Sequence, residues 1–262
     1  MRLGSGSRGL LLAAAMASPA SAAPITSCEQ FVPSGETGVL MQDLTCPSPP
    51  TWPFSPTGVV LDGGASLDLN GFTIRGDGTG VGVSCTAQRV ETSRQPCTVT
   101  GPGAVTAFEN GIDGGGWALV VTDLVVHGNT IGISTPKMRR LVLRRVVARD
   151  NLQNGIYAQR LESEDVVATG NGRRGVSTRV ASRIVRLTAT GNGDEGLHVG
   201  VLRTRVVDST LIGNDDPTAG FDVTTGGRLR LVRTICGRGA RIRTTRRRGI
   251  ETTTVLGPLP CS

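Results

Sequence analysis

The sequence predicts an all-β solenoid in which short strands wind into coils and the coils stack on one another. Three observations point there. Glycine is abundant (37 of 262 residues) while aromatics make up only 3%. Helices tolerate such a composition poorly, because each interior glycine costs roughly 0.5–1 kcal/mol against alanine. Glycine followed by an aliphatic or Phe recurs as Gly111-Ile112, Gly132-Ile133, Gly155-Ile156, Gly175-Val176, Gly196-Leu197 and Gly220-Phe221, at spacings of 21, 23, 20, 21 and 24. An asparagine keeps the same beat at Asn129, Asn151, Asn171, Asn192 and Asn214. No Gly-X-Y period exists, so collagen is excluded, and aliphatics recur too steadily for disorder.

One period holds two or three strands of a few residues separated by Asn/Gly turns. Before the asparagines lie the β-prone stretches Leu124-Val125-Val126, Val146-Val147-Ala148, Val166-Val167-Ala168, Leu187-Thr188-Ala189 and Ser209-Thr210-Leu211. No segment carries a 3.6-residue apolar period, which argues against helical repeats. A single coil cannot bury its apolar side, whereas stacked coils can, with aliphatic ladders inside. The asparagines are expected to stack as an amide ladder at one turn, where they tolerate left-handed backbone. About eight coils from Gly58 to Arg243 give a solenoid roughly 35–40 Å long.

The ends divide the chain into three parts. Arg2 and Arg8, the apolar run Leu10 to Ala17 and the Ala20-Ser21-Ala22 site read as a signal peptide over residues 1–22. Residues 23–57 are expected to cap the solenoid, and 58–262 to form the β-helix domain with a C-terminal closing segment. The apolar run is too short to span a bilayer, so no membrane insertion is expected. All six cysteines follow the signal, and fifteen pairings are open to them. The sequence-local pairs Cys28–Cys46, Cys85–Cys97 and Cys236–Cys261 close the shortest loops, each worth about 3 kcal/mol. No metal site is expected: CxxC spacing is absent and the only histidines are His127 and His198.

The segment Leu67-Asp68-Leu69-Asn70-Gly71-Phe72-Thr73-Ile74 resembles the opening coil of right-handed parallel β-helix proteins of the pectin-lyase-like group, and Asp43-Leu44-Thr45-Cys46 resembles the cysteine-bearing entry to that coil. The resemblance covers about residues 40–243. It implies a single-stranded right-handed parallel β-helix, on a scaffold that carries lyases, hydrolases, epimerases and adhesins alike. Asn214-Asp215-Asp216 and Arg241-Ile242-Arg243 resemble motifs of pectin hydrolases, but the Gly-His-Gly between them is missing.

Charge is segregated. Residues 24–138 hold four basic residues against ten acids, and residues 139–262 hold 22 arginines against eleven acids. Such a basic half attracts polyanions, and the arginine fork suits carboxylate, sulfate or phosphate. Aromatic platforms for nucleic acid are missing, so acidic polysaccharide is the expected partner and the protein is expected to be a monomer. Ion pairs between coils are the competing use of these arginines, with Arg173-Arg174 one coil before Asp194-Glu195 in the same register.

Residues alternate faces along a strand, so the position after each inward aliphatic points out. Down the stack that position reads Asp113, Ser134, Tyr157, Ser177, His198 and Asp222, then Arg241 or Arg243. Two places further come Gln159, Arg179 and Thr224. The expected catalytic group is His198 or Tyr157 with Arg179 neutralising a uronate carboxylate, imidazole being the better base near neutral pH. Gln159, Ser177, Asp222, Arg241 and Arg243 are the expected substrate contacts. Elimination or epimerisation next to a uronate carboxylate is the chemistry these parts suit; a non-catalytic surface, matrix or adhesin-like role is the alternative. No cofactor is expected, with Ca²⁺ at Asp215-Asp216 stacked on Asp194-Glu195 as the one candidate. The protein is expected to be secreted or periplasmic once the signal is removed.

Overall fold

The computed structural model describes residues 22–48, 57–86, 95–115, 118–137, 140–214, 221–237, 241–246 and 249–254. Residues 1–21 of the expected signal peptide, and Cys261, therefore lie outside the described residues. Every described strand pairs in parallel with the strand one coil away, except at the C-terminal end. The coils are triangular. The first face contains Gln30–Val32, Thr57–Asp62, Val81–Thr86, Asn110–Gly114, Ile131–Thr135, Ile156–Ala158, Val176–Thr178, Leu197–Val199 and Val223–Thr225. The second runs from Thr37–Leu40 and Ser66–Asp68 through Cys97–Thr100 and Ala118–Thr122 to Thr204–Val207 and Leu229–Val232. Three long strands, Arg140–Arg149, Leu161–Thr169 and Ser182–Thr190, bend across the corner and serve the third face as well.

The core is a set of ladders, one aliphatic above the next. On the first face Val59, Val83, Ile112, Ile133, Ile156, Val176, Leu197 and Val223 are mutual partners in adjacent strands, and all are fully buried. β-Branched and Leu side chains repeat at the inter-strand spacing of about 4.8 Å and need no aromatics to fill the interior.

The corner behind the third face holds the asparagine ladder. Asn151 donates its backbone N–H and its Nδ2 to Asn171 Oδ1, and Asn171 does the same to Asn192 Oδ1. Asn129 and Asn192 continue the pattern to Asn151 and Asn214. The second Nδ2 proton bonds a backbone carbonyl, such as Ala148 O for Asn171. All five asparagines are buried. The residue before each turns left-handed, as at Gly128, Asp150, Gly170, Gly191 and Gly213. The ladder also explains the repeat glycine. A Cβ on Gly155 would lie 2.8 Å from Asn171 Nδ2 and 2.8 Å from Gly175 O.

Both ends of the solenoid are built from strands. Residues 23–57 are not only a cap: Gln30–Val32, Thr37–Leu40 and Leu44–Thr45 supply one strand to each face and pair with the next coil. The C-terminal end is closed by Arg241–Arg246, which continues the first face, and Gly249–Thr254, which turns back antiparallel on it. Cys28–Cys46 and Cys85–Cys97 are disulfides, as the local pairing predicts, and Cys236 is disulfide-bonded too. Disulfides of this kind mark an oxidising compartment. Among the described residues no helix is long and apolar enough to cross a membrane.

Replacing Asn171 with Ala leaves the Asn151 N–H and Nδ2 without their acceptor and Asn192 Oδ1 without one donor, all buried. We expect a loss of roughly 3 kcal/mol or more in urea unfolding, with the disulfides intact. Asn171→Asp keeps the acceptor for Asn151 but sets a buried oxygen against Ala148 O and Asn192 Oδ1, so it should not restore wild-type stability.

Candidate functional site

The outward row of the first face is the candidate site. Backbone register aligns Asp113, Ser134, Tyr157, Ser177 and His198 on successive strands, and then Thr224 and Arg241. The sequence places the first five correctly. Asp222 is the correction. It precedes inward Val223 and occupies the slot that the repeat glycine fills in earlier coils, Leu197 N donating to its backbone carbonyl. Its side chain is fully buried, and Oδ1 accepts from both Asn214 N and Asn214 Nδ2. Asp222 is thus the last acceptor of the asparagine ladder, not a substrate contact. The miscount arose because Gly220-Phe221 mimics the repeat dipeptide two residues early. Val223-Thr224-Thr225, parallel to Val176-Ser177-Thr178, was the better anchor.

Tyr157, Gln159, Ser177, Arg179 and His198 line one concavity of about 520 Å³. Gln159, Arg179 and Gly200 form the neighbouring row, two residues along from the first. Ser177, small and flanked above and below by Tyr157 and His198, is only 2% exposed. Arg179 is exposed, and no acid among the described residues pairs with it. The side chains of Arg241 and Arg243 lie outside the described residues.

A buried carboxylate that sequence reasoning treated only as an ion-pair partner organises this concavity. Glu195, three residues before His198, accepts from Arg174 Nε at 2.7 Å and from Thr224 Oγ1 at 2.6 Å. Thr224 Oγ1 also lies 2.8 Å from His198 Nδ1. An ionised carboxylate only accepts, so the single hydroxyl proton of Thr224 goes to Glu195. The hydroxyl oxygen must then accept from Nδ1–H. This hydrogen-bond logic puts a proton on Nδ1, so that when the ring is neutral its lone pair sits on Nε2. Burial opposes the charge on Glu195, but hydrogen bonds from Thr224 and Arg174, the Arg174 charge and the His198 imidazole 3.8 Å away outweigh it and hold the carboxyl well below its ordinary range.

The other acids named from sequence are also engaged. Asp194 pairs with Arg173 at 3.3 Å, one coil away, as the register predicts. Asp215 and Asp216 lie outside the described residues. Among the described residues no group of three or more His, Cys, Asp or Glu gathers in metal-ligating geometry. Asp113, at the far end of the row, has its carboxyl pushed up by burial, partly offset by the Lys137 charge.

No protein-family model matches the chain, and no curated protein matches it in sequence. Solved structures do. The Dettilon tailspike protein superposes with a TM-score of 0.58 at 14% identity, over 82% of this chain and 54% of its own. The enzymatically active domain of tailspike protein 2 from bacteriophage CBA120 gives 0.54 at 10% identity, over 86% of this chain and 39% of its own. The fold is a right-handed parallel β-helix. The chain spans about half the length of the first of these structures and less of the second. The A-module of the Azotobacter vinelandii mannuronan C-5 epimerase AlgE4 aligns at a TM-score of 0.41 and 15% identity, over 80% of this chain and 89% of its own.

The depressed Glu195 carboxyl makes stability pH-dependent. Its folded value lies below the unfolded one, so its contribution is complete above about pH 4.5 and is lost as pH falls toward the folded value. Glu195→Gln should cost roughly 1–3 kcal/mol at pH 7. Denaturant unfolding at pH 7 and pH 3 should show the gap between variant and wild type narrowing at the lower pH.

Proposed function

We propose that the protein is an exported β-helix that binds an acidic extracellular polysaccharide across its first face and acts there on a uronate unit. The observation that carries this reading is the chain Arg174–Glu195–Thr224–His198, which orients an imidazole toward a concavity that also holds Tyr157 and Arg179, unpaired among the described residues. Arg179 pairs with the sugar carboxylate. His198 Nε2 takes the proton from the carbon next to that carboxylate, and the electron pair left behind spreads into the carboxylate, whose charge Arg179 stabilises. Tyr157, two coils away at about 10 Å, stands where it can hand a proton to the departing glycosidic oxygen or to the opposite side of the carbon. The first outcome is elimination, the second epimerisation. One fold neighbour is by name an enzymatically active domain, so the scaffold carries catalysis elsewhere.

Pectate, alginate and glycosaminoglycans form the panel that tests this. On the polymer turned over, His198→Ala should lower kcat by roughly 10²–10⁴-fold with little change in binding. Arg179→Gln should act mainly on KM. Thr224→Val, which removes the acceptor that fixes the tautomer, should lower kcat less than His198→Ala does. Binding by wild type without turnover of any polymer in the panel would favour a holding module over an enzyme.

A further inference from the structure

Six arginines of the basic half, Arg140, Arg145, Arg173, Arg174, Arg186 and Arg233, are matched by register to acids one coil away. At the corner between the second and third faces the residues on successive coils alternate as Asp123, Arg145, Asp165, Arg186, Asp208 and Arg233, all left-handed. Each arginine there bonds the aspartate of the coil before it. Arg140 likewise pairs with Glu162. The second face departs from this rule in its last coils. Arg183, Arg205 and Arg230 are direct partners in adjacent strands, all exposed. Two residues before the last two stand Arg203 and Arg228, also exposed and on the same side. None of the five has an acidic partner among the described residues.

Like charges stacked directly opposite one another destabilise a sheet. The solenoid avoids that arrangement at its corner, where every arginine meets an acid, yet adopts it here on three successive coils. We infer that this arginine row is an anion-docking strip for a linear acidic polysaccharide lying along the solenoid axis, separate from the His198 concavity and serving to hold the polymer while one unit is presented there. The inference rests on the acidic-polysaccharide reading above. The row repeats its charge every coil, about 4.8 Å, which suits a polymer carrying one anionic group per sugar. Two residues further along each strand come Val185, Val207 and Val232; Val207 is buried, and the half-buried Val185 and Val232 offer some carbon surface to a sugar ring but no aromatic ring for a base to stack on. The strip has a direction. On the coil before Arg183 the row holds Glu162, with Glu164 two residues along, so a polyanion extends from Arg183 toward the C-terminal end and not back over those carboxylates.

Affinity for polygalacturonate, measured by calorimetry at 50 and 200 mM salt, tests the strip. R183Q/R205Q/R230Q should weaken binding at least tenfold and flatten its salt dependence. R75Q/K137Q/R144Q, which removes the same charge from exposed positions outside the row, should weaken it less than twofold. The row variant should melt at or above the wild-type temperature, because it relieves repulsion, and this also checks that it folds. Equal weakening by the two triple variants, or none by the first, overturns the strip while leaving the polysaccharide reading intact. Loss of binding in Arg179→Gln with the row variant unaffected also overturns the strip, and places the polymer in the concavity alone. Tighter, row-dependent binding of a single-stranded DNA oligonucleotide overturns the polysaccharide as occupant. No wild-type binding to polygalacturonate, alginate or dextran sulfate overturns strip and ligand class together. Loss of turnover in His198→Ala with undiminished binding bears on the chemistry and leaves the strip standing.

Discussion

Phase is the constraint on which the structure depends: each circuit of the backbone must come back into line with the one beneath it. The buried amide ladder enforces that. Each asparagine offers one oxygen to two donors of the coil before and passes its backbone N–H and one side-chain amide proton to the coil after. A coil one residue out of step would leave several buried polar groups unpaired, at roughly 1–3 kcal/mol each. The aliphatic ladders alone permit more slippage, because Val, Ile and Leu pack against one another in many registers. Hydrophobic stacking thus drives the solenoid together, and the polar ladder selects a single alignment.

That alignment gives the surface its chemistry. Tyr157, Ser177, His198 and Thr224 are spread over nearly seventy residues of chain and become neighbours only because four coils share a phase. The same geometry sorts the arginines. Where register sets an aspartate beneath an arginine, the pair is exposed and contributes little to stability, so its main effect is to cancel charge. Where register sets arginine on arginine, the field adds up. One rule of stacking produces a neutral corner and a positive face a few residues apart.

Much of this was legible from the residues. Gly-aliphatic and Asn periodicities carry the fold, because a ladder demands the same residue type at the same place in each coil. Local cysteine pairing was legible for Cys28–Cys46 and Cys85–Cys97, since the partners are only 18 and 12 residues apart. Glu195 was visible only as half of an ion pair. Its bond to Thr224 spans the irregular stretch before Phe221, where the spacing of the repeat breaks, and periodicity says least where the period fails. Asp222 was misplaced for the same reason. The alternating Asp/Arg corner went unseen because the hydrophobic pattern says nothing about which exposed positions share a turn.

The carboxylate of Asp222 ends a chain of hydrogen bonds that runs in one sense only. Every earlier rung both receives and gives, while this rung receives from Asn214 through an oxygen that has no proton to pass on. A duplicated coil inserted between Asn129 and Asn214 would find a compatible rung on each side and lengthen the protein without disturbing its end. The same coil spliced in after Asp222 would face an acid where it needs an amide. The molecule therefore carries a built-in full stop, and any lengthening by gene duplication or by design has to occur upstream of it.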